Sequence, residues 1–263
     1  MLLGEPRPTQ GDIHFTLFGF PVRIHPMFWL IAFVFGMAGT PPLPLVFVWV
    51  IAVFIAILIH ELGHALVMRY YGISPRITLY GMGGLASYNP SQVRDQRAFS
   101  TSAQIAISAA GPLAGFLFAA LIVVAIISSG NSVEPKFAFP YGPLLIPRGI
   151  ENPVLFSFLF DLLFISITWG LFNLLPVYPL DGGSISREVC LRLNTKQGIR
   201  ISLTLSLVTA AGIALLSLAN TVRSVGFPGL TSYGNLFIPL LFGYLAYFSY
   251  AALQAYNNHN SRY

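Results

Sequence analysis

His60, Glu61 and His64 stand together in His60-Glu61-Leu62-Gly63-His64. Their types and spacing can do metal chemistry. On a helix, positions i and i+4 share one face, so the two imidazoles project side by side about 6 Å apart. Such a pair can chelate one zinc ion, and the adjacent carboxylate can act as general base toward a water there. The cluster follows directly on the uncharged run from Leu43 to Ile59. Ionisable groups at membrane depth are costly, so function is a better account of this cluster than chance. A catalytic zinc takes three protein ligands, and two imidazoles leave it one short. The candidate third ligand lies in Asn173-Leu174-Leu175-Pro176-Val177-Tyr178-Pro179-Leu180-Asp181-Gly182-Gly183. Pro176 and Pro179 end the preceding helix, and two glycines give Asp181 a permissive backbone that can turn back toward the histidines.

The elements that must position these residues are membrane helices. Of 263 residues, 55% are hydrophobic and 9% charged, against roughly 25% charged in a soluble domain. The formal charge of +5 is spread over short loops with no basic patch, so no nucleic-acid partner is expected. The lone cysteine, Cys190, excludes an intrachain disulfide and a cysteine-rich metal site, and reads as a structural thiol in a polar loop. Residues 1–14 hold Glu5, Arg7, Asp12 and two prolines, which is no signal-peptide pattern.

Six spans are expected, at about 26–38, 43–70, 99–127, 153–175, 199–218 and 236–256. The first is short and ends at Thr40-Pro41-Pro42. Arg7, Arg23, Arg69, Arg76, Arg94, Arg97, Arg187, Arg192, Lys196, Arg200 and Arg262 fall at the termini and in the second and fourth loops. Lys136, Arg148 and Arg223 fall in the other three. By the positive-inside rule both termini are cytoplasmic, His60 sits toward the cytoplasmic end of its span, and the segment after Leu175 emerges on the same side. Two segments have strand character: Phe15 to Ile24, interrupted by Gly19 and Pro21, and Arg76 to Tyr88. In the second, Gly81-Met82-Gly83-Gly84 reads as a hairpin turn or a close backbone approach, and equally as a flexible loop. The Pro/Gly-rich third loop, about 128–152, reads as an external connection. The fold expected is an all-α polytopic membrane protein of about six transmembrane helices. A small membrane-associated β-sheet is expected near the N-terminus and after the second helix, and no separate soluble domain is visible.

At this point the chain resembles the site-2 protease family of intramembrane zinc metalloproteases. The family pairs H-E-x-x-H in one helix with N-x-x-P and L-D-G in a later one. Here these are His60 to His64, then Asn173, Pro176 and Leu180-Asp181-Gly182. Ala110-Gly111-Pro112-Leu113-Ala114-Gly115 looks like the family's intervening helix, and Phe18 to His25 like its N-terminal strand. The resemblance covers about residues 15–185; the helices at about 199–256 match the six-helix branch by topology alone. It implies one intramembrane protease domain over residues 1–263, with neither PDZ nor CBS domain visible. It implies one Zn2+ held by His60, His64 and Asp181, with Glu61 as general base. Asn173 is implied as a donor to substrate or the developing oxyanion. Gly83, Gly84, Leu85 and Ala86 are implied to receive substrate as an added strand. The implied substrate is a single-span transmembrane protein, cut within or near its span, in a prokaryotic cell (inner) membrane.

Two other functions fit a zinc-binding membrane protein: a zinc transporter or channel, and a catalytically silent relative that binds membrane partners. A transporter needs a polar path through both leaflets, and Leu43 to Ile59 offers none. A silent relative would be expected to have lost Glu61 or a ligand. Among the other polar residues, Asp161 is expected to pair with Lys136 or Arg148 near the outer side. His25 reads as a satisfied interfacial side chain, and Gly111-Pro112 as a packing kink.

Overall fold

Long apolar helices make up most of the chain, as its uncharged runs dictate. The structure, a computed structural model, describes residues 5–38, 41–93, 95–224 and 234–260. In chain order its elements are β1 (Ile13–Leu17), β2 (Phe20–Ile24), α1 (Pro26–Gly36), α2 (Leu43–Tyr70), β3 (Arg76–Tyr80), β4 (Gly83–Ser87) and α3 (Thr101–Ser128). Then come β5 (Ser132–Ala138), β6 (Gly142–Arg148), α4 (Pro153–Asn173), α5 (Asp181–Leu193), α6 (Gly198–Ser224) and α7 (Gly234–Asn260). Five helices, α2, α3, α4, α6 and α7, are long and apolar enough to cross a membrane, and the chain is an integral membrane protein. The expected first span is the 11-residue α1, about 16 Å long and too short to cross alone. Thr40, Arg94, Arg262 and the whole loop between α6 and α7 lie outside the described residues. The chain divides into two compact units, residues 1–170 and 171–263.

The first unit is built on a four-stranded sheet in the order β1-β2-β3-β4. The segment read as one strand from Phe15 to Ile24 is a hairpin. Phe18 and Gly19 both take positive φ (50° and 83°), the pattern of a two-residue turn matched to strand twist. A phenylalanine gives no sequence signal for that conformation. β2 runs parallel to β3 and β3 antiparallel to β4, with Thr78 opposite Leu85 and Leu79 opposite Gly84. Of the two readings of the glycine cluster, the hairpin is the one observed. Phe20, Val22, Ile24, Ile77 and Leu79 bury one sheet face against Ile57, Leu58 and Ala65 of α2. The sheet therefore grips the very turns of α2 that carry His60 to His64.

α3 crosses α2 at small residues. A side chain at Gly63 would collide with the Ala110 carbonyl and lie 2.7 Å from Ala114 Cβ. Without a bilayer-driven hydrophobic term, such close backbone approach is how membrane helices hold together. The third loop is no irregular connection: β5 and β6 pair antiparallel from Ser132↔Arg148 to Ala138↔Gly142. Arg148 Nε donates to Glu134 Oε2 at 2.7 Å across that hairpin. Its cation is thus taken, and no ion pair joins Asp161 to Lys136 or Arg148 among the described residues, contrary to expectation. His25 caps α1, its Nδ1 accepting from the Met27 amide at 3.2 Å, as a satisfied border residue should.

In the second unit, α6 presents Ser202, Ser206, Ala210, Ser217 and Thr221 as a buried stripe. Ser206 Oγ donates to the Ser202 carbonyl at 2.9 Å and accepts from the Tyr178 amide at 3.1 Å, so its buried hydroxyl proton is satisfied within its own helix. Phe172 meets Phe242 of α7 edge-on at 5.6 Å, and Tyr178 stacks on Phe248 at 5.8 Å. Cys190 lies in helix α5, where a polar loop had been expected. That 13-residue helix is amphipathic and too short and polar to read as a span, which is why hydropathy passed over it.

Candidate active site

His60, Glu61 and His64 sit on successive turns of α2, all buried, at 4%, 4% and 6% exposure. One ligand atom from each lies within 4.8 Å of the others. The helix brings them together, as the i, i+4 spacing predicts. The His60 and His64 Nε2 atoms are 3.1 Å apart, their rings at 76°. His64 Nδ1 lies 2.7 Å from the Ile107 carbonyl of α3. A carbonyl only accepts, so Nδ1 carries the proton and the Nε2 lone pair of His64 faces His60. That is the orientation a metal-binding histidine needs, with its second nitrogen anchored to a carbonyl. Two imidazole nitrogens at about 2.0–2.1 Å from a tetrahedral ion stand about 3.3 Å apart, so the spacing fits a small divalent cation.

Ile107 reaches His64 because α3 runs against the motif at a glycine. A Cβ on Gly111 would lie 2.5 Å from His64 Cε1 and 2.7 Å from His60 Nε2. Only glycine lets α3 approach both rings. Pro112, next in sequence, has no N–H, so the Ser108 carbonyl loses its helical donor and the ladder loosens at this turn. Gly111-Pro112, expected as a packing kink, thus also lies against the two imidazoles. The signal was present in the string: a glycine in a membrane helix marks close backbone approach, although not to what.

Of the hairpin residues implied to meet substrate, Gly84 lies directly at the site. A Cβ there would be 2.5 Å from Glu61 Oε1 and 2.6 Å from its Cδ. Ala86, on the same strand face, packs with Met68, Ile73 and Ile107. Gly83 and Leu85 point to the opposite face by strand alternation. β4 is an edge of its sheet, bonded to β3 on one side. Tyr80, on β3 opposite Gly83, has its phenol pushed above the ordinary tyrosine range by burial and then by the charge of Glu61. A carboxylate, two imidazoles and an open strand edge thus share one buried region, an arrangement suited to hydrolysing an extended peptide.

Asn173 and Asp181 belong to the second unit. Asn173 ends α4 and is buried, at 8% exposure. Asp181 does not ride on a flexible loop: it is the first residue of α5, with Leu180 as its N-cap. Its two glycines serve packing. A Cβ on Gly182 would strike the Leu174 carbonyl, and one on Gly183 would lie 2.6 Å from the Tyr178 amide and the Val177 carbonyl. The backbone from Leu174 to Tyr178 therefore folds directly onto the first turn of α5, tying the end of α4 to Asp181.

The sequence model for Peptidase family M50 matches residues 48–218 of the chain. Zinc metalloprotease MJ0392 of Methanocaldococcus jannaschii is 27% identical over 208 residues, 78% of this chain and 52% of that one. The Synechocystis sp. protein sll0528 is 27% identical over 242 residues, 86% and 55% of the two chains. The chain spans about half the length of these curated relatives. Among solved structures, the site-2 protease from Methanocaldococcus jannaschii superposes with a TM-score of 0.53 at 22% identity, covering 92% of this chain and 95% of that one. That likeness establishes the shared fold.

Proposed function

We propose that this chain, which belongs to Peptidase family M50, is an intramembrane zinc metalloprotease that hydrolyses a peptide bond within or near the span of a membrane-protein substrate. One observation carries the reading: two imidazoles and a carboxylate buried within 4.8 Å of one another on a membrane-length helix. The names of its relatives support zinc as the metal, and so does the nitrogen donor pair.

His60 and His64 would hold the ion through Nε2, and Asp181 is proposed as the third ligand. Zinc, when bound, supplies Lewis acidity and lowers the pKa of water to about 7. Glu61 is the general base. One of its oxygens takes a proton as water adds to the scissile carbonyl, and it returns that proton to the departing nitrogen as the C–N bond breaks. The products are a carboxylate and an amine. Asn173 is proposed to donate its amide N–H to the carbonyl oxygen as charge builds there. The open edge of β4 would pair with the substrate backbone, because a spanning helix hides its amides and must unwind before it can be cut.

The positive-inside rule supports a site in the cytoplasmic half of the bilayer, with both termini cytoplasmic; the prokaryotic sources of its relatives support a prokaryotic cell (inner) membrane. We treat residues 1–263 as one protease domain acting on single-span substrates. Co-expression with tagged single-span proteins tests this. The wild type should yield a released cytoplasmic fragment and Glu61→Gln none. Equal fragment from both would reject the proposal.

A further inference from the structure

The β5–β6 hairpin does not project away from the helices. Its base adjoins the start of α4, and Tyr141 to Arg148 covers about 23 Å of strand. Pro153 to Thr168 rises about 22 Å along α4. The two lengths match, and their far ends touch: Thr168 Oγ1 donates to the Tyr141 carbonyl at 3.3 Å. The Tyr141 ring meets Phe164 at 5.8 Å, and Phe164 in turn meets Trp49 of α2 at 6.3 Å. The tip of the hairpin therefore meets α4 at Phe164 and Thr168, and Phe164 links it to Trp49 of α2.

The residue after Thr168 is Trp169. Its ring covers Gly83, whose φ of +116° excludes a side chain in any case; a Cβ there would lie 2.9 Å from Trp169 Cζ2 and 3.2 Å from Cη2. The residue after Gly83 is Gly84, which abuts the Glu61 carboxyl. A continuous line of contact thus runs from the hairpin tip through Thr168 and Trp169 to Gly83, Gly84 and Glu61. β4 has a strand partner on one side alone, and its first two residues, Gly83 and Gly84, bring no side chain to hold that end in place.

We propose that Trp169 is a positioning residue: braced by the tip of the β5–β6 hairpin, it holds the edge strand β4 against Glu61 and so fixes the strand on which substrate is laid. The cleavage arm of this inference rests on the protease reading, whereas its structural arm does not. An element from the loop opposite the metal-motif end of α2 would then control the geometry of the catalytic end.

Hydrogen exchange on the purified full chain, read together with cleavage kinetics, tests it. Trp169→Ala should speed exchange of the β4 amides, residues 83–87, about tenfold or more, with the β2 amides of residues 20–24 unchanged. Trp169→Phe should restore most of the protection. Turnover by Trp169→Ala should fall about 10–100-fold with zinc content unchanged and KM altered less than kcat, as misplacement without loss of ligands requires. Thr168→Val, which removes the bond to the tip but keeps the shape, should act in the same direction with smaller effect. Thr168→Val and Trp169→Leu carry the comparison if Trp169→Ala fails to fold. Unchanged exchange at β4 would overturn the proposal. So would equal loosening of β2, or a Trp169→Phe variant as impaired as Trp169→Ala. If β4 loosens as expected while the wild type cleaves nothing, the bracing stands and the protease reading fails.

Discussion

Glu61 and Gly111 illustrate what a single residue decides here. Glu61 is proposed to carry the chemistry, but Gly111 provides the space: with α3 pressed onto both imidazoles, any side chain at position 111 occupies the volume of the proposed metal ligands. Gly111→Ala should therefore lose zinc and cleavage together, although alanine is the better helix former by about 1 kcal/mol. Metal analysis of the purified variant checks this; full zinc loading would show that the rings can move aside. Asn173 separates two accounts. As an oxyanion donor, its loss in Asn173→Ala should cut turnover about 10²–10³-fold with zinc and melting temperature nearly unchanged. As a helix-end cap, its loss should cost about 1 kcal/mol of stability, and activity only in proportion. The metal motif was legible from sequence because its spacing is local to one helix. Gly111 was not, because its meaning depends on which helix crosses which.

Among the elements, the long apolar helices were visible in the sequence, since length and composition carry them; the glycines between β3 and β4 left hairpin and flexible loop equally open. The β1–β2 turn, α5 and the β5–β6 hairpin were not visible. The turn needs a positive φ at Phe18, α5 is short and amphipathic, and β5 and β6 hold prolines that argue against strand. Gly182 and Gly183 looked like freedom and proved to be contact. The substrate-strand role proposed for β4 makes a prediction about the substrate. A stable helix resists pairing with an edge strand, so Gly, Pro or Asn near the cut should speed cleavage, and replacing them with Leu should slow it. For Gly the local cost of unwinding falls by about 1 kcal/mol, close to fivefold in population. Equal rates for matched substrates of equal membrane insertion would show that unwinding does not limit the reaction.

For the whole molecule, five helices are long and apolar enough to cross a bilayer, and the proposed site lies toward its cytoplasmic side. The charge asymmetry predicts that a cysteine at Glu151, beside the outer start of α4, reacts with an impermeant thiol reagent from outside. A cysteine at Arg97, before α3, should not; the reverse pattern would invert the topology. The central claim is that Glu61 moves protons and does not hold the metal. It is tested most directly by zinc content and cleavage measured on one preparation of purified Glu61→Gln. The account predicts one zinc per chain with cleavage reduced at least 10²–10⁴-fold; loss of zinc, or cleavage at the wild-type rate, would contradict it.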